Sequence, residues 1–224
     1  IAFVTTNEDE FFFYANRLIA SIPADGGNPA VLSQSFDENA NLLDWSPEGI
    51  WFSGFQKTSS HLFLLTPATK KISKITQPAD LLTNQFSFSK DFKQMTFVMA
   101  APNRMGEIAL SSTTAFTPRT VTQTSEQLKP FKTATREVIS WKSHDGATIE
   151  GILIKPINYD PTKKYPLLVV IHGGPTGIDL PSVSTCRVYR LIVIILLSFL
   201  PPKERLFCVP TIAAQQVMEK RFAP

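Results

Sequence analysis

The stretch best suited to chemistry is Leu167–Gly177. Five consecutive apolar residues, Leu167–Ile171, run there directly into His172, Gly173, Gly174 and Pro175. Two adjacent glycines let the backbone turn sharply and come close to a bound group, because no Cβ stands in the way. The amide hydrogens of such a bend can hold a negatively charged oxygen, which is how the oxyanion of acyl transfer is stabilised. Other chemistry-bearing side chains are scattered. His61, His144 and His172 are isolated from one another, and Cys186 and Cys208 stand twenty-two positions apart without a second pair. No metal-ligand spacing arises from them, and neither a metal nor another cofactor is expected.

The elements that must position this bend can be read outward from it. An apolar strand without alternation suits a sheet covered on both faces, and a Gly-rich bend at its end is where open α/β sheets place ligands. Upstream, Glu137–Pro156 reads as a hairpin around His144-Asp145-Gly146-Ala147. Asp-Gly is a two-residue turn signal, since Gly supplies the positive φ. Asn158–Pro166 follows as a polar loop.

Residues 1–133 repeat at a spacing of roughly 40–45 residues, which marks β-propeller blades. Leu42–Phe55 aligns with Gln85–Ala100: in each an aromatic precedes a Ser, then a turn with an acidic residue, then a strand of large apolar residues. His61–Thr76 and Gly106–Thr122 supply the second halves, and Asn16–Ser33 is an earlier partial copy. One blade cannot bury both of its faces, whereas neighbours stacked about an axis can. A meander or a β-sandwich with coincidental spacing stays open as the alternative. His61 is expected at a strand end on the surface, and Trp45 and Trp51 are expected to pack between blades. Two blades and part of a third do not close a ring, so further blades are expected upstream of Ile1.

Composition narrows the function classes. With 43% hydrophobic and 18% charged residues, a disordered polyelectrolyte is excluded. The 22 Lys+Arg and 19 Asp+Glu give a net charge of +3 without a basic stripe, so no nucleic-acid partner is expected. The longest apolar run, Leu191–Leu197 with its extension to Leu200, is short of the roughly 20 residues a membrane helix needs. No membrane partner is expected. The first 185 residues hold no cysteine, which excludes a disulfide-stapled scaffold and slightly favours a cytoplasmic setting.

The ordered set Trp141, Asp145-Gly146, Glu150-Gly151, Pro156, Lys164-Tyr165-Pro166-Leu167 and His172-Gly173-Gly174-Pro175 resembles the start of the catalytic domain in the prolyl oligopeptidase family. It looks closest to the acylaminoacyl-peptidase and dipeptidyl-peptidase branch. The resemblance implies incomplete all-β propeller blades over 1–133, followed by the N-terminal strands of a truncated α/β-hydrolase domain over 134–184. It implies serine-peptidase chemistry on peptide substrates, with His172, Gly173, Gly174 and Pro175 as the oxyanion loop. It carries over no catalytic Ser, Asp or His, because no G-x-S-x-G occurs in the sequence and His144 and His172 precede the place where one would stand. The oligomeric state is not legible.

Residues 185–224 depart from the pattern and hold both cysteines. Back-translation of Pro201–Ala223 with each triplet read from the last base of one codon can spell a string containing N-Y-R-G-S-A-G-Y-G, similar to the family's next segment. A frameshift near Thr185–Tyr189, genuine or a sequencing error, is therefore expected, with a divergent but functional C-terminal segment as the alternative, and the tail is expected to pack poorly. Ile152–Ile154 and Leu167–Ile171 would then lack their sheet neighbours.

Overall fold

The computed structural model describes residues 1–7, 15–77, 82–170 and 177–183, and the backbone of 206–211. Its described strands gather into four open sheets, none of which closes on itself. They divide between two compact units: Ile1–Met99 with Ile108–Thr122, and Ala100–Glu107 with Gln123–Pro224. Among the described residues no helix is long and apolar enough to cross a bilayer.

The first sheet joins β1 (Ala2–Thr5), β2 (Leu18–Ser21) and β3 (Ala30–Val31) in sequence order. The second is an antiparallel meander of β4 (Asn41–Ser46), β5 (Gly49–Gln56), β6 (Ser59–Thr66) and β7 (Lys71–Lys74). The third repeats that order with β8 (Leu82–Phe88), β9 (Gln94–Ala101), β10 (Arg104–Ser112) and β11 (Arg119–Thr120). The forty-residue spacing thus corresponds to successive four-stranded units.

The side-chain alternation of β5 and β6 explains why these sheets stack. Along a strand, successive residues point to opposite faces. Ile50 and Phe52 join Phe63 and Leu65 in one core cluster with Ile19, Leu32 and Phe36. Trp51 and Leu62 join Met95, Phe97, Met99 and Ala109 in another. Along β5 and β6 the second sheet is therefore buried on both faces, against elements that precede it in sequence on one side and that follow it on the other. Phe36 sits edge-on to Phe52 and Phe63, with ring centroids 5.0 and 4.9 Å apart. Full burial of one such ring contributes about 1.5–3 kcal/mol. Trp51 packs as expected, whereas Trp45 is 44% exposed and covers no core. It sits on β4, an edge strand of its sheet, where a face is left open.

The aromatic–Ser–acid turns recur as structure. Ser46 Oγ donates to Glu48 Oε2 at 2.6 Å, and Ser89 Oγ donates to Asp91 Oδ1 at 2.7 Å. These hydroxyls are the main reason both carboxyls are held below their ordinary range.

The last sheet has the order β12-β13-β15-β14, built from β12 (Thr135–Lys142), β13 (Thr148–Lys155), β14 (Leu167–Val169) and β15 (Leu206–Thr211). The β12–β13 hairpin forms as the sequence indicates, with a longer loop than Asp-Gly alone suggests. Gly146 N–H donates to Ser143 O and Ser143 N–H to Ala147 O, with Gly146 at φ +83°. This is a three-residue connection in which glycine takes the left-handed position after a tight turn. The expectation that β13 and β14 lack a sheet neighbour is corrected by the backbone of β15. It pairs antiparallel with Glu150–Ile154 of β13 and parallel with β14. The run Leu206-Phe207-Cys208-Val209 has the apolar, β-favouring composition that an open sheet position accepts. Residues 191–200 lie outside the described residues.

Candidate functional site

The strand that leads to the Gly-rich bend is present, although it is shorter than Leu167–Ile171. Leu167–Val169 forms β14, held through Leu167↔Leu206, Leu168↔Phe207 and Val169↔Cys208. His172, Gly173, Gly174 and Pro175 lie outside the described residues. Coverage of both faces was expected for this strand. Instead Leu167 is 57% and Val169 51% exposed, because no described element packs on their side.

The chain entering β14 is tied down by its own polar groups. Asp160 N–H donates to Tyr165 Oη at 2.9 Å, and the Thr162 amide and hydroxyl donate to Asp160 Oδ1 at 3.0 and 2.7 Å. Those two Thr162 contacts hold the Asp160 carboxyl below the usual range. The rings of Tyr159 and Tyr165 lie 5.2 Å apart, and Lys155 Nζ sits 5.1 Å from the Tyr159 centroid while pairing with Glu137. The hairpin, the connection and the start of β14 are thereby fastened together at one end of the sheet.

His61 is not at the surface. It lies within β6 and is 1% exposed, the expectation failing because β6 extends through it and the second sheet is covered on both faces. Its Nε2 is 3.0 Å from Ser59 Oγ and its Nδ1 2.9 Å from Thr76 Oγ1. Ser59 and His61 share a face at i and i+2, the one sequence signal for this contact.

A Ser–His contact invites comparison with a catalytic dyad, and the proton directions argue against it. Ser59 O–H donates to Gln56 O at 2.8 Å, and Thr76 Oγ1 accepts from Leu62 N–H at 3.2 Å. The Thr76 hydroxyl proton is then directed to Nδ1, and Nε2–H is directed to Ser59 Oγ. The histidine faces the serine as a donor, and the third member is a threonine where a triad needs a carboxylate. Burial first, and the Lys74 charge second, push the imidazole down to about 4, so it is neutral at physiological pH. His144 is exposed in the hairpin loop. Among the described residues no group of His, Cys, Asp and Glu is arranged to hold a metal ion.

No family model matches the sequence. It is 26% identical over 189 residues to dipeptidyl-peptidase 5 of Porphyromonas gingivalis, covering 78% of this chain and 25% of that protein. It is 24% identical over an alignment of 238 residues to a probable dipeptidyl peptidase 4 of Arthroderma benhamiae, covering 90% of this chain and 30% of the relative. The chain resembles the prolyl oligopeptidase-family peptidases.

Two solved peptidases carry the same fold over nearly the whole chain. Pyrococcus horikoshii acylaminoacyl peptidase superposes with a TM-score of 0.68 at 17% identity, covering 94% of this chain and 30% of its own. Porphyromonas gingivalis dipeptidyl peptidase 4 superposes with a TM-score of 0.66 at 15% identity, covering 94% and 28%. Set beside these peptidases, the chain spans between a quarter and a third of the relatives' length.

Proposed function

We propose that this polypeptide is a portion of a prolyl oligopeptidase-type serine peptidase. Residues 1–133 supply the last blades of its β-propeller, 134–184 the opening strands of its α/β-hydrolase domain, and 185–224 a tail read out of frame. One observation carries the reading: two successive four-stranded meanders precede a hairpin and a strand aimed at His172-Gly173-Gly174-Pro175, in the chain order this architecture requires. In the whole enzyme the chemistry is acyl transfer from a Ser–His–Asp triad to water, acting on a peptide. The backbone amides of the Gly173–Gly174 bend help to hold the oxyanion.

A second reading is a non-catalytic product that acts at most as a binding module. The absence of G-x-S-x-G from all 224 residues favours it for the polypeptide as written. Purified 1–224 is then expected to leave aminoacyl and acyl-aminoacyl reporters uncut and to take up no fluorophosphonate. Stoichiometric labelling of any serine would overturn this second reading. Sequencing the encoding DNA tests the frame: a neighbouring frame interrupted by stops across Pro201–Ala223 would refute the shift.

A further inference from the structure

The chain contains two Asp-Gly dipeptides, Asp25-Gly26 and Asp145-Gly146, and the structure holds them differently. At such a pair the carboxyl is open to its own backbone, because glycine has no Cβ to keep the next amide nitrogen from turning onto the side chain. Asp25 lies in the connection between β2 and β3, where residues 23–30 are all exposed. Gly26 sits at φ +96° and Gly27 at φ +124°, and a Cβ on Gly26 would meet nothing within 4 Å. Gly26 N–H donates to Pro23 O at 3.2 Å, the long end of the hydrogen-bond range. Among the described residues the Asp25 carboxylate takes part in no hydrogen bond or ion pair.

Asp145 is exposed as well, but its side chain is tied. Its Oδ1 accepts from Ser143 Oγ and from Ala147 N–H, the latter at 3.2 Å. Gly146 N–H donates to Ser143 O at 3.0 Å, and Ser143 N–H to Ala147 O at 2.9 Å. This short loop is clamped by β12 and β13, which are paired up to Lys142↔Thr148. The Asp25 loop is closed only by Ala20↔Val31 and Ser21↔Ala30.

We propose that Asp25 is a modification site at which isoaspartate forms spontaneously, and that the hairpin protects Asp145 from the same reaction. The Gly26 amide nitrogen attacks Cγ of the protonated Asp25 carboxyl. The N–Cγ bond forms, the Cγ–O bond breaks, and the amide proton and the carboxyl hydroxyl leave as water. A water molecule then opens the cyclic imide at either carbonyl. Opening at the former backbone carbonyl leaves Gly26 joined through Cγ, with a longer main chain and a new α-carboxylate. The water lost is regained, so mass is conserved and no oxidant or reductant enters. Attack requires the nitrogen and Cγ to come within about 3–3.5 Å in the right orientation. The untied carboxyl of Asp25, followed by two glycines, reaches that arrangement by rotation alone. Asp145 must first give up both contacts to Oδ1 and the Gly146 loop bond. The new α-carboxylate is the group that an S-adenosylmethionine-dependent isoaspartyl methyltransferase esterifies, so the β2–β3 loop is a substrate for an enzyme of that class.

The test ages the full 224-residue chain at neutral pH and physiological temperature, folded and in denaturing urea. Peptide mapping by electron-transfer mass spectrometry then separates isoaspartyl from aspartyl forms, and isoaspartyl methyltransferase with labelled S-adenosylmethionine counts them. In the folded chain isoaspartate is expected to accumulate about tenfold or more faster at Asp25 than at Asp145. In urea the two rates are expected to converge. Ser143→Ala removes one contact to Asp145 Oδ1 and is expected to speed that site while leaving Asp25 unchanged. Asp25→Glu is expected to abolish methylation of the peptide spanning residue 25, since the larger ring closes far more slowly. Equal accumulation at the two sites in the folded chain, or none at Asp25, overturns the proposal. A difference that persists undiminished in urea belongs to the local sequence rather than to the fold, and overturns it equally.

Discussion

The indole Nε1–H of Trp51 donates to Ser46 Oγ at 3.0 Å, joining the first hairpin turn of the second sheet to its core. Both residues are 3% exposed. The same hydroxyl accepts from Glu48 N–H at 3.2 Å and donates to the Glu48 carboxylate, so a single serine sets the turn and satisfies a buried donor. Ser46→Ala is expected to destabilise the protein by about 1–3 kcal/mol, the penalty for a buried donor left without a partner. Ser89→Ala removes the equivalent turn contact at an exposed site, and the expected loss is below about 1 kcal/mol. Denaturant unfolding of the two variants measures the difference, and equal losses would contradict it.

Acid should act on the second sheet through His61. Its folded value of about 4 lies below the ordinary 6.5, so the unfolded chain takes up the proton first as pH falls. The stability that depends on a neutral His61 is whole above pH 6.5 and is lost as pH drops toward 4. Glu38 works in the opposite sense. Burial first, and the neighbouring Asp37 second, raise it from 4.5 to about 7, so folding gains as pH falls through that window. His61→Gln keeps the Glu38 contribution and removes the other. The variant's denaturation midpoint should therefore fall less than the parent's between pH 6.5 and 4. Parallel curves for the two proteins would refute the assignment.

Glu107 fastens the chain that leaves the third sheet. Its carboxylate is 2% exposed and accepts Thr124 N–H at 2.8 Å and Ser125 N–H at 2.7 Å, at the start of the short 3-10 helix Thr124–Leu128. Glu107→Gln keeps one acceptor oxygen and Glu107→Ala keeps none. Amide hydrogen exchange at Thr124 and Ser125 should rise in that order. Removing the side chain should cost about 1–3 kcal/mol. Unchanged exchange in the alanine variant would refute the anchor.

Two glycines of β5 limit how its neighbours approach. At Gly49, φ is +146° and a Cβ would stand 2.5 Å from Leu65 O; at Gly54 it would stand 2.5 Å from Phe36 Cζ. A backbone carbonyl inside a paired sheet cannot withdraw, while a ring can tilt at the expense of its contacts with Phe52 and Phe63. Both alanine variants should lose stability, typically about 1–3 kcal/mol for overpacking, with Gly49→Ala the worse of the two because of its added backbone strain. Thermal melts give the ranking, and a neutral Gly49→Ala would refute it.

The sheets were legible in the sequence because period-two patterning and turn chemistry are local. The Ser46 and Ser89 turns, the β12–β13 hairpin and the spacing of the repeats each depend on residues within a short window. What escaped depends on assembly. Nothing in the sequence near His61 says that β6 lies under cover, and nothing near Trp45 says that its side of β4 is open. The strand Leu206–Thr211 was missed for another reason. The tail was expected to pack poorly, yet Leu206-Phe207-Cys208-Val209 carries strand-favouring residues of its own. His172, Gly173, Gly174 and Pro175 were singled out by the apolar run that leads into them and lie outside the described residues.

The order β12-β13-β15-β14 also bears on synthesis. A chain leaving the ribosome folds what it already has, and the β12–β13 hairpin is complete once residue 155 emerges. Leu167–Val169 follows soon after but has no neighbour in its sheet until Leu206–Thr211 arrives nearly forty residues later. Over that interval the nascent polypeptide displays the rim of β13 and the apolar side chains of β14 together. This is the stretch of translation in which a chaperone, or a second nascent chain, has its best opportunity to engage it.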